Sequence, residues 1–274
     1  MYILFDIGKT KTRIAGSRDL STFSEPQILD TPKDYDEMIK TITARSKEIA
    51  GTEEIKAIGG GIGAPLDKEH QSLIEDVNFP GWAGKALSGD LWTALNAPVY
   101  LENDSACVGL GEAVYGAGKE FDIVAYITIS TSVGGVRIVN KRIDANAFGF
   151  EPGWQILSPD GKYAADFLGG SSIEKETGKK AFEIDDPNFW DTEAVALAYF
   201  LNNVIVMWSP DTVIVGGSMM KDIGIPLDST KKYLKDILKI FAGSMPPIRK
   251  AMLGDVGGLW GAMEFLKSKG VEMH

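Results

Sequence analysis

Three strand-to-turn junctions and a few isolated acids hold most of the chemistry this sequence can offer. The first junction is Asp6-Ile7-Gly8-Lys9-Thr10-Lys11-Thr12-Arg13, between two apolar, strand-like runs. Glycine, hydroxyls and exposed amides in such a turn form a concave anion site, and Asp6 at the strand end suits a hydrated Mg²⁺. The same residues equally make a plain hairpin turn with solvated Lys9 and Lys11. Ser130-Thr131-Ser132-Val133-Gly134-Gly135 is a second such loop and Gly216-Gly217 a third. None has the Walker spacing, and no G-x-G-x-x-G opens a helix, so a dinucleotide fold is disfavoured. Three strand-to-glycine turns on one chain favour a phosphate-bearing ligand.

Asn103-Asp104 lies between a short strand and an apolar helix. Asp at that point serves either as a cap for the first free helix N–H groups or as a general base at a strand end. Glu151, flanked by Gly149-Phe150 and Pro152-Gly153, reads by itself as a solvated loop acid. Asn78-Phe79-Pro80-Gly81-Trp82 fits two descriptions: a turn whose aromatics enter the core, or an amide and an aromatic wall beside a polar ligand. His70 reads as a solvated loop residue, His274 as a chain end, and Cys107 as a small buried hydrophobe. One cysteine and two histidines exclude an internal disulfide and a multi-cysteine zinc site, and leave little for a Ser-His-Asp triad.

The elements that must position these residues follow from periodicity. The chain has 274 residues, 44% hydrophobic and 24% charged, an ordinary globular composition with material for about two domains. A net charge of −10 opposes nucleic-acid and anionic-membrane binding, and no apolar run reaches the length of a membrane span. The N-terminal apolar run is too short for a signal peptide and reads as a first core strand. With the cysteine count, this points to a cytoplasmic setting.

Strands are expected at Tyr2 to Phe5, Thr12 to Ser17, Pro26 to Leu29, Ile55 to Ile58 and Ala97 to Leu101. Gly59-Gly60-Gly61 and Gly63-Ala64-Pro65 mark either close backbone approach or a mobile loop. Helical spacing covers Tyr35 to Ile49 and Asp104 to about Tyr115. The second half repeats this grammar: strands at Ile123 to Ile129 and Val136 to Val139, a long apolar and buried helix at Thr192 to Trp208, and a strand at Thr212 to Val215. An amphipathic helix at Asp228 to Phe241 and a closing helix at Gly257 to Lys267 complete it. The pattern predicts two α/β lobes with a cleft between them: residues 1–102, with the closing helix at 257–269 packing back on them, and residues 103–256.

Taken in order, the Asp6–Arg13 turn, Asn78-Phe79-Pro80-Gly81-Trp82, Leu101-Glu102-Asn103-Asp104-Ser105-Ala106 with Gly111-Glu112, Ser130 to Val136, Glu151-x-Gly153, Val213 to Gly217 and Leu253-Gly254-Asp255 resemble the ROK family of sugar kinases and related repressors. The resemblance spans nearly the whole chain. It implies the two-lobed actin-like ATPase (ribonuclease H-like) α/β fold, with the active site in the interlobe cleft, and transfer of the γ-phosphoryl group of ATP to a hydroxyl of a hexose or modified hexose.

By the same resemblance Asp104 is the catalytic base. Gly63, Ala64, Asn78, Asn103 and Glu151 line the sugar, and Trp154 occupies a sugar-contacting position. Gly8, Lys9, Thr10, Thr12, Thr131, Ser132, Gly134 and Gly135 form the phosphate turns. Gly216 and Gly217 form the adenosine-side loop, and Asp6 is the Mg²⁺-linked acid. The family also implies a homodimer, with no nucleic acid or membrane as partner.

Departures from the family pattern are specific. Trp154 stands where the family has a zinc-binding histidine, and the zinc-loop cysteines are absent, so no zinc is expected. Trp154 either stacks on a sugar face or fills the volume of the lost loop. Lys9, Ser130 and Ser132 replace family glycines; a left-handed backbone at these positions would be strained. A non-catalytic sugar-binding or regulatory relative is the alternative reading.

Overall fold

The computed structural model describes residues 1–76 and 78–271; His274 lies outside them. In chain order the first elements are β1 (Tyr2–Ile7), β2 (Lys11–Ser17), β3 (Gln27–Asp30), α1 (Tyr35–Ala50), β4 (Ala57–Ile62), α2 (Leu87–Leu95), β5 (Val99–Asn103) and α3 (Asp104–Val114). They are followed by β6 (Ile123–Ile129), β7 (Val133–Val139), β8 (Arg142–Ile143), α4 (Ala164–Leu168), α5 (Gly170–Thr177) and α6 (Pro187–Trp208). The last are β9 (Thr212–Gly216), α7 (Leu227–Ile237), β10 (Ile248–Lys250) and α8 (Gly257–Ser268).

Two compact units result. One comprises Met1–Tyr115, Ala145–Gly149 and the chain from Leu253 onward; the other comprises Gly116–Asp144 and Phe150–Met252. The sequence pattern opens the second lobe at residue 103, but α3 belongs to the first unit. The reason is its packing against α8. A methyl group on Gly111 would lie 2.6 Å from the carbonyl oxygen of Gly257 and 3.0 Å from the amide of Gly261, so the two helices meet backbone to backbone.

The first unit holds a five-stranded sheet in the order β3-β2-β1-β4-β5. β1 pairs antiparallel with β2 and parallel with β4, which pairs parallel with β5. One face of the sheet buries Ile3, Phe5 and Ile7 with Met38 and Ile42 of α1 and Leu87 and Leu91 of α2. The other buries Tyr2 and Leu4 against Leu259, Met263 and Leu266 of α8. This strict alternation along β1 is what a strand covered on both faces requires.

The second unit repeats the topology in the order β10-β9-β6-β7-β8, with a β6–β7 hairpin and parallel β6–β9 and β9–β10 pairs. Its core combines Ile127 and Ile129 with Leu197, Leu201 and Val204 of α6 and Leu234 of α7.

Several local expectations change. Of the two readings of Gly59-Gly60-Gly61, close backbone approach holds and loop does not: they form the fully buried middle of β4, where a methyl group on Gly60 would overlap the Phe5 carbonyl oxygen. α6 begins earlier than its apolar pattern suggests, because Asp186 caps it by accepting the Asn188 amide and Pro187 occupies its first turn. The helix is buried at Ala194, Leu197, Ala198, Leu201, Val204 and Ile205, with Tyr199, Val206 and Met207 exposed. α7 stops at Ile237, short of the expected Phe241. Among the described residues no helix is long and apolar enough to cross a membrane.

Candidate functional site

In the first unit, β1, β4, β5 and α3 bring Asp6, Gly63 and Asp104 together. The step from β5 into α3 is built by Asn103, whose extended backbone makes it the N-cap and whose side chain accepts the amides of Ser105 (2.9 Å) and Ala106 (3.3 Å). Asp104 is therefore the first residue of the helix and not its cap. Its Oδ1 accepts the Ser105 amide at 2.6 Å and the Ser105 hydroxyl at 3.2 Å. Oδ2 points toward Gly63, where a methyl group would lie 2.9 Å away. Burial pushes the Asp104 carboxyl above the usual carboxylate range, and the Ser105 hydrogen bonds only partly oppose that shift. The result is a better proton acceptor than a solvated aspartate, held at a helix N-terminus that favours its charged form.

Asp6 lies at the end of β1 with 14% of its side chain exposed, 3.7 Å from the Arg13 guanidinium, which also reaches Asp255 at 3.9 Å. Burial, with the neighbouring Asp104 charge as a second cause, raises its carboxyl from 3.8 to about 7. The stability that protonated Asp6 contributes is full below about pH 4 and lost as pH climbs through about 7, since the native state there binds more protons than the unfolded one. In the absence of nucleotide and divalent cation, the wild-type unfolding free energy should fall across that window. The difference curve against Asp6→Asn isolates this contribution.

Asn78 is half-buried and donates from Nδ2 to the Gly63 carbonyl at 2.6 Å. Its aromatic neighbours settle the reading of this segment. Phe79 and Trp82 are core residues with tilted rings whose centroids lie 4.8 Å apart, and Trp82 Nε1 donates to the Lys33 carbonyl. No aromatic wall faces a ligand from these two rings. Ala64 is buried beside Gly63.

The β1–β2 turn is a tight hairpin in which the Gly8 amide donates to the Lys11 carbonyl at 3.0 Å. Lys9 and Thr10 are exposed, and Lys11 pairs with Asp30 at 2.6 Å. The Thr12 hydroxyl is buried and bonded to that of Thr31 at 2.9 Å, and Thr31 in turn donates to the Gly8 carbonyl. Thr12 thus shapes the turn from beneath.

In the second unit the expected loop at 130–135 shrinks to Ser130–Ser132, because Gly134 and Gly135 lie inside β7. Gly217 has φ +99 and no room for a side chain against the end of β6, which fixes it as the β9 turn. The Ser130 and Ser218 hydroxyls meet at 3.0 Å. Lys9, Ser130 and Ser132 are not among the residues with positive φ, so replacing glycine there brings no left-handed strain.

Sequence reasoning alone misses a third participant. Gly169-Gly170-Ser171-Ser172 opens α5, with the Gly170 and Ser171 amides donating to the carbonyls of Ser130 and Thr131. Its run of glycines and serines is the available signal.

Glu151 and Trp154 flank a short turn in this unit, and both are exposed. The Trp154 ring is 57% exposed and meets Tyr163 edge-on at 5.1 Å, across a small hairpin closed by the Leu157 amide on the Lys162 carbonyl. Cys107 is buried, as expected. His70 is not a solvated loop residue: its ring is half-buried and bonded to β5.

With the geometry described, the chain can be set beside known proteins. The sequence model of the ROK family matches residues 2–161 and 172–269. An N-acetyl-D-glucosamine kinase of Yersinia enterocolitica is 27% identical, the match covering 96% of this chain and 98% of that protein. A glucokinase of Thermotoga maritima is 24% identical over 85% of this chain and 86% of its own. Among solved structures, a ROK family glucokinase from Streptomyces griseus in complex with glucose and AMPPNP superposes with a TM-score of 0.80 at 22% identity, covering 96% of this chain and 98% of that one. The structural likeness establishes the actin-like ATPase fold.

Proposed function

The chain belongs to the ROK family, and from that premise we propose that it is an ATP-dependent kinase of a hexose or modified hexose with Asp104 as general base. The observation that carries this reading is the Asp104 carboxylate itself. One oxygen is fixed by Ser105, the other makes no hydrogen bond among the described residues, and burial raises its proton affinity. A sugar hydroxyl attacks the γ-phosphorus, the bond to the β-phosphate oxygen breaks, ADP leaves, and the hydroxyl proton passes to Asp104 Oδ2. Phosphoryl transfer asks chiefly for positioning and charge stabilisation.

We assign sugar contacts to Gly63, Ala64, Asn78, Asn103, Glu151 and Trp154. Phosphate contacts fall to the turns at Gly8–Thr10 and Ser130–Ser132, and the nucleoside side to Gly216-Gly217. Thr12, Gly134 and Gly135 support these turns from within their strands. Mg²⁺ suits Asp6, since a carboxylate whose charge is disfavoured by burial and by Asp104 gains from a divalent partner. When bound there it would neutralise phosphate charge.

The relatives are named for N-acetylglucosamine and glucose, which sets the substrate panel: hexoses, 2-amino hexoses, N-acetyl hexoses and polyols. Calorimetry with each sugar, beside ADP release from Mg-ATP, tests the reading. Sugar-dependent ADP release supports it; saturable sugar binding without release favours the non-catalytic relative. Trp154→Ala should raise the sugar KM about three- to tenfold through loss of an aromatic face. It should leave the melting temperature unchanged, because the ring is mostly exposed. An unchanged sugar KM would make Trp154 a filler of the lost loop.

A further inference from the structure

His70 and Glu102 lie beside the proposed base, and neither has a role in the reaction as described. β4 is followed by an excursion that folds on itself: Leu66 bridges Leu73, the Asp67 carboxylate accepts the Gln71 amide at 2.7 Å, and the His70 amide donates to the Asp67 carbonyl. At the tip His70 adopts left-handed backbone, φ +53. From there its ring reaches β5, an edge strand, placing Nδ1 3.0 Å from the Leu101 carbonyl and 3.6 Å from Glu102 Oε2. A carbonyl can only accept, so Nδ1 bears the proton. Glu102 is itself 8% exposed, and its Oε1 accepts the Asn103 amide at 2.8 Å.

One ring therefore ties the tip of the excursion to the two residues preceding Asn103-Asp104. The excursion continues to Asn78, whose amide holds the Gly63 carbonyl opposite Asp104 Oδ2. Neither His70 nor Glu102 is itself assigned to the sugar, but Glu102 holds the Asn103 amide and His70 reaches the same corner through Leu101 and Glu102. We propose that His70 and Glu102 form a positioning clamp, which sets the Asn103–Asp104 corner relative to the Asn78 segment and thereby sets sugar affinity. This rests on the sugar-kinase reading for its kinetic consequence but not for its structural one.

Two readouts distinguish these consequences. In the ligand-free protein, His70→Ala should speed amide hydrogen exchange at Asn103, Ser105 and Ala106 about fivefold or more, the loss expected for one hydrogen bond, while amides of β1 stay unchanged. In turnover it should raise the sugar KM about five- to tenfold with little change in kcat or in the KM for ATP. His70→Asn offers an amide donor at the place of Nδ1 and tolerates left-handed backbone, so it should restore both readouts.

Glu102→Gln keeps the acceptor for the Asn103 amide and should resemble wild type in exchange. Unchanged exchange at 103–106 in His70→Ala, or an Asn variant as impaired as the Ala variant, would overturn the clamp. Because exchange is read without ligand, it decides the clamp even if wild-type protein phosphorylates no sugar.

Discussion

Asp104→Asn is expected to lower sugar-dependent ADP release by about 10²–10⁴-fold, the usual worth of a positioned general base, while calorimetry still detects sugar binding. The amide oxygen can replace Oδ1 in accepting the Ser105 amide, and the volume is unchanged, so α3 keeps its first turn. What is lost is an oxygen able to take a proton. The acid limb of the wild-type pH–rate profile should lie above the ordinary carboxylate range, because burial raises the carboxyl of Asp104. Activity falls as pH drops through that raised value, since the protonated acid cannot serve as base. A variant with near wild-type turnover, or one that has lost sugar binding as well, would remove Asp104 from the role of base.

The second large effect concerns stability. Gly261 of α8 faces α3 so closely that a methyl group there would overlap the carbonyl oxygen of Cys107. That oxygen is backbone, and no rotamer change can withdraw it. Gly261→Ala must therefore push α8 away from α3, although their faces lock together at Gly111, Gly257 and Gly261. Alanine is the better helix former by about 1 kcal/mol, and overpacking a core costs roughly 1–3 kcal/mol or more. Backbone overlap falls at the upper end, so the net expected loss is about 2 kcal/mol. A urea titration should show a lower midpoint with the same slope. An unchanged or raised midpoint would show that α3 and α8 separate freely. The consequence reaches the site, because α8 also packs on Asp6 through Gly258, where a methyl group would lie 2.7 Å from the carboxyl carbon.

Much of this architecture is readable from residue order. The continuous apolar run of Tyr2 to Phe5, ending at Asp6-Ile7-Gly8, places β1 and its hairpin, and the same grammar at Ile123 to Ile129 places β6. The long β-formers and the helical spacing of Tyr35 to Ile49 leave few other arrangements. α2 escapes notice because Gly89 interrupts its apolar residues and Ala86 supplies no capping side chain. β10 has three residues next to Pro246-Pro247, too few for a period to show.

Gly59-Gly60-Gly61 leaves close approach and loop undecided, because glycine serves both. Here it marks a strand crowded by Phe5, Leu266 and Asp104, and only the packed structure reveals the neighbours. At the site, Asp6, Asn78 and Asn103-Asp104 are visible as a strand end, a turn and a cap. The His70 tether is not, since it joins residues 31 positions apart through a left-handed backbone that no local pattern announces. Thr12 shows the converse: the motif names it, but the bond of its buried hydroxyl to Thr31 is visible only in the folded chain.

The most direct measurement follows the γ-phosphoryl group. Purified protein is incubated with γ-labelled ATP, Mg²⁺ and each sugar of the panel, and the label is traced by mass spectrometry. A sugar kinase moves the label to at least one hexose or modified hexose, in equal amount to the ADP formed, and Asp104→Asn leaves it on ATP. Label that stays on ATP with every sugar, in protein that binds one of them saturably, would contradict the kinase reading.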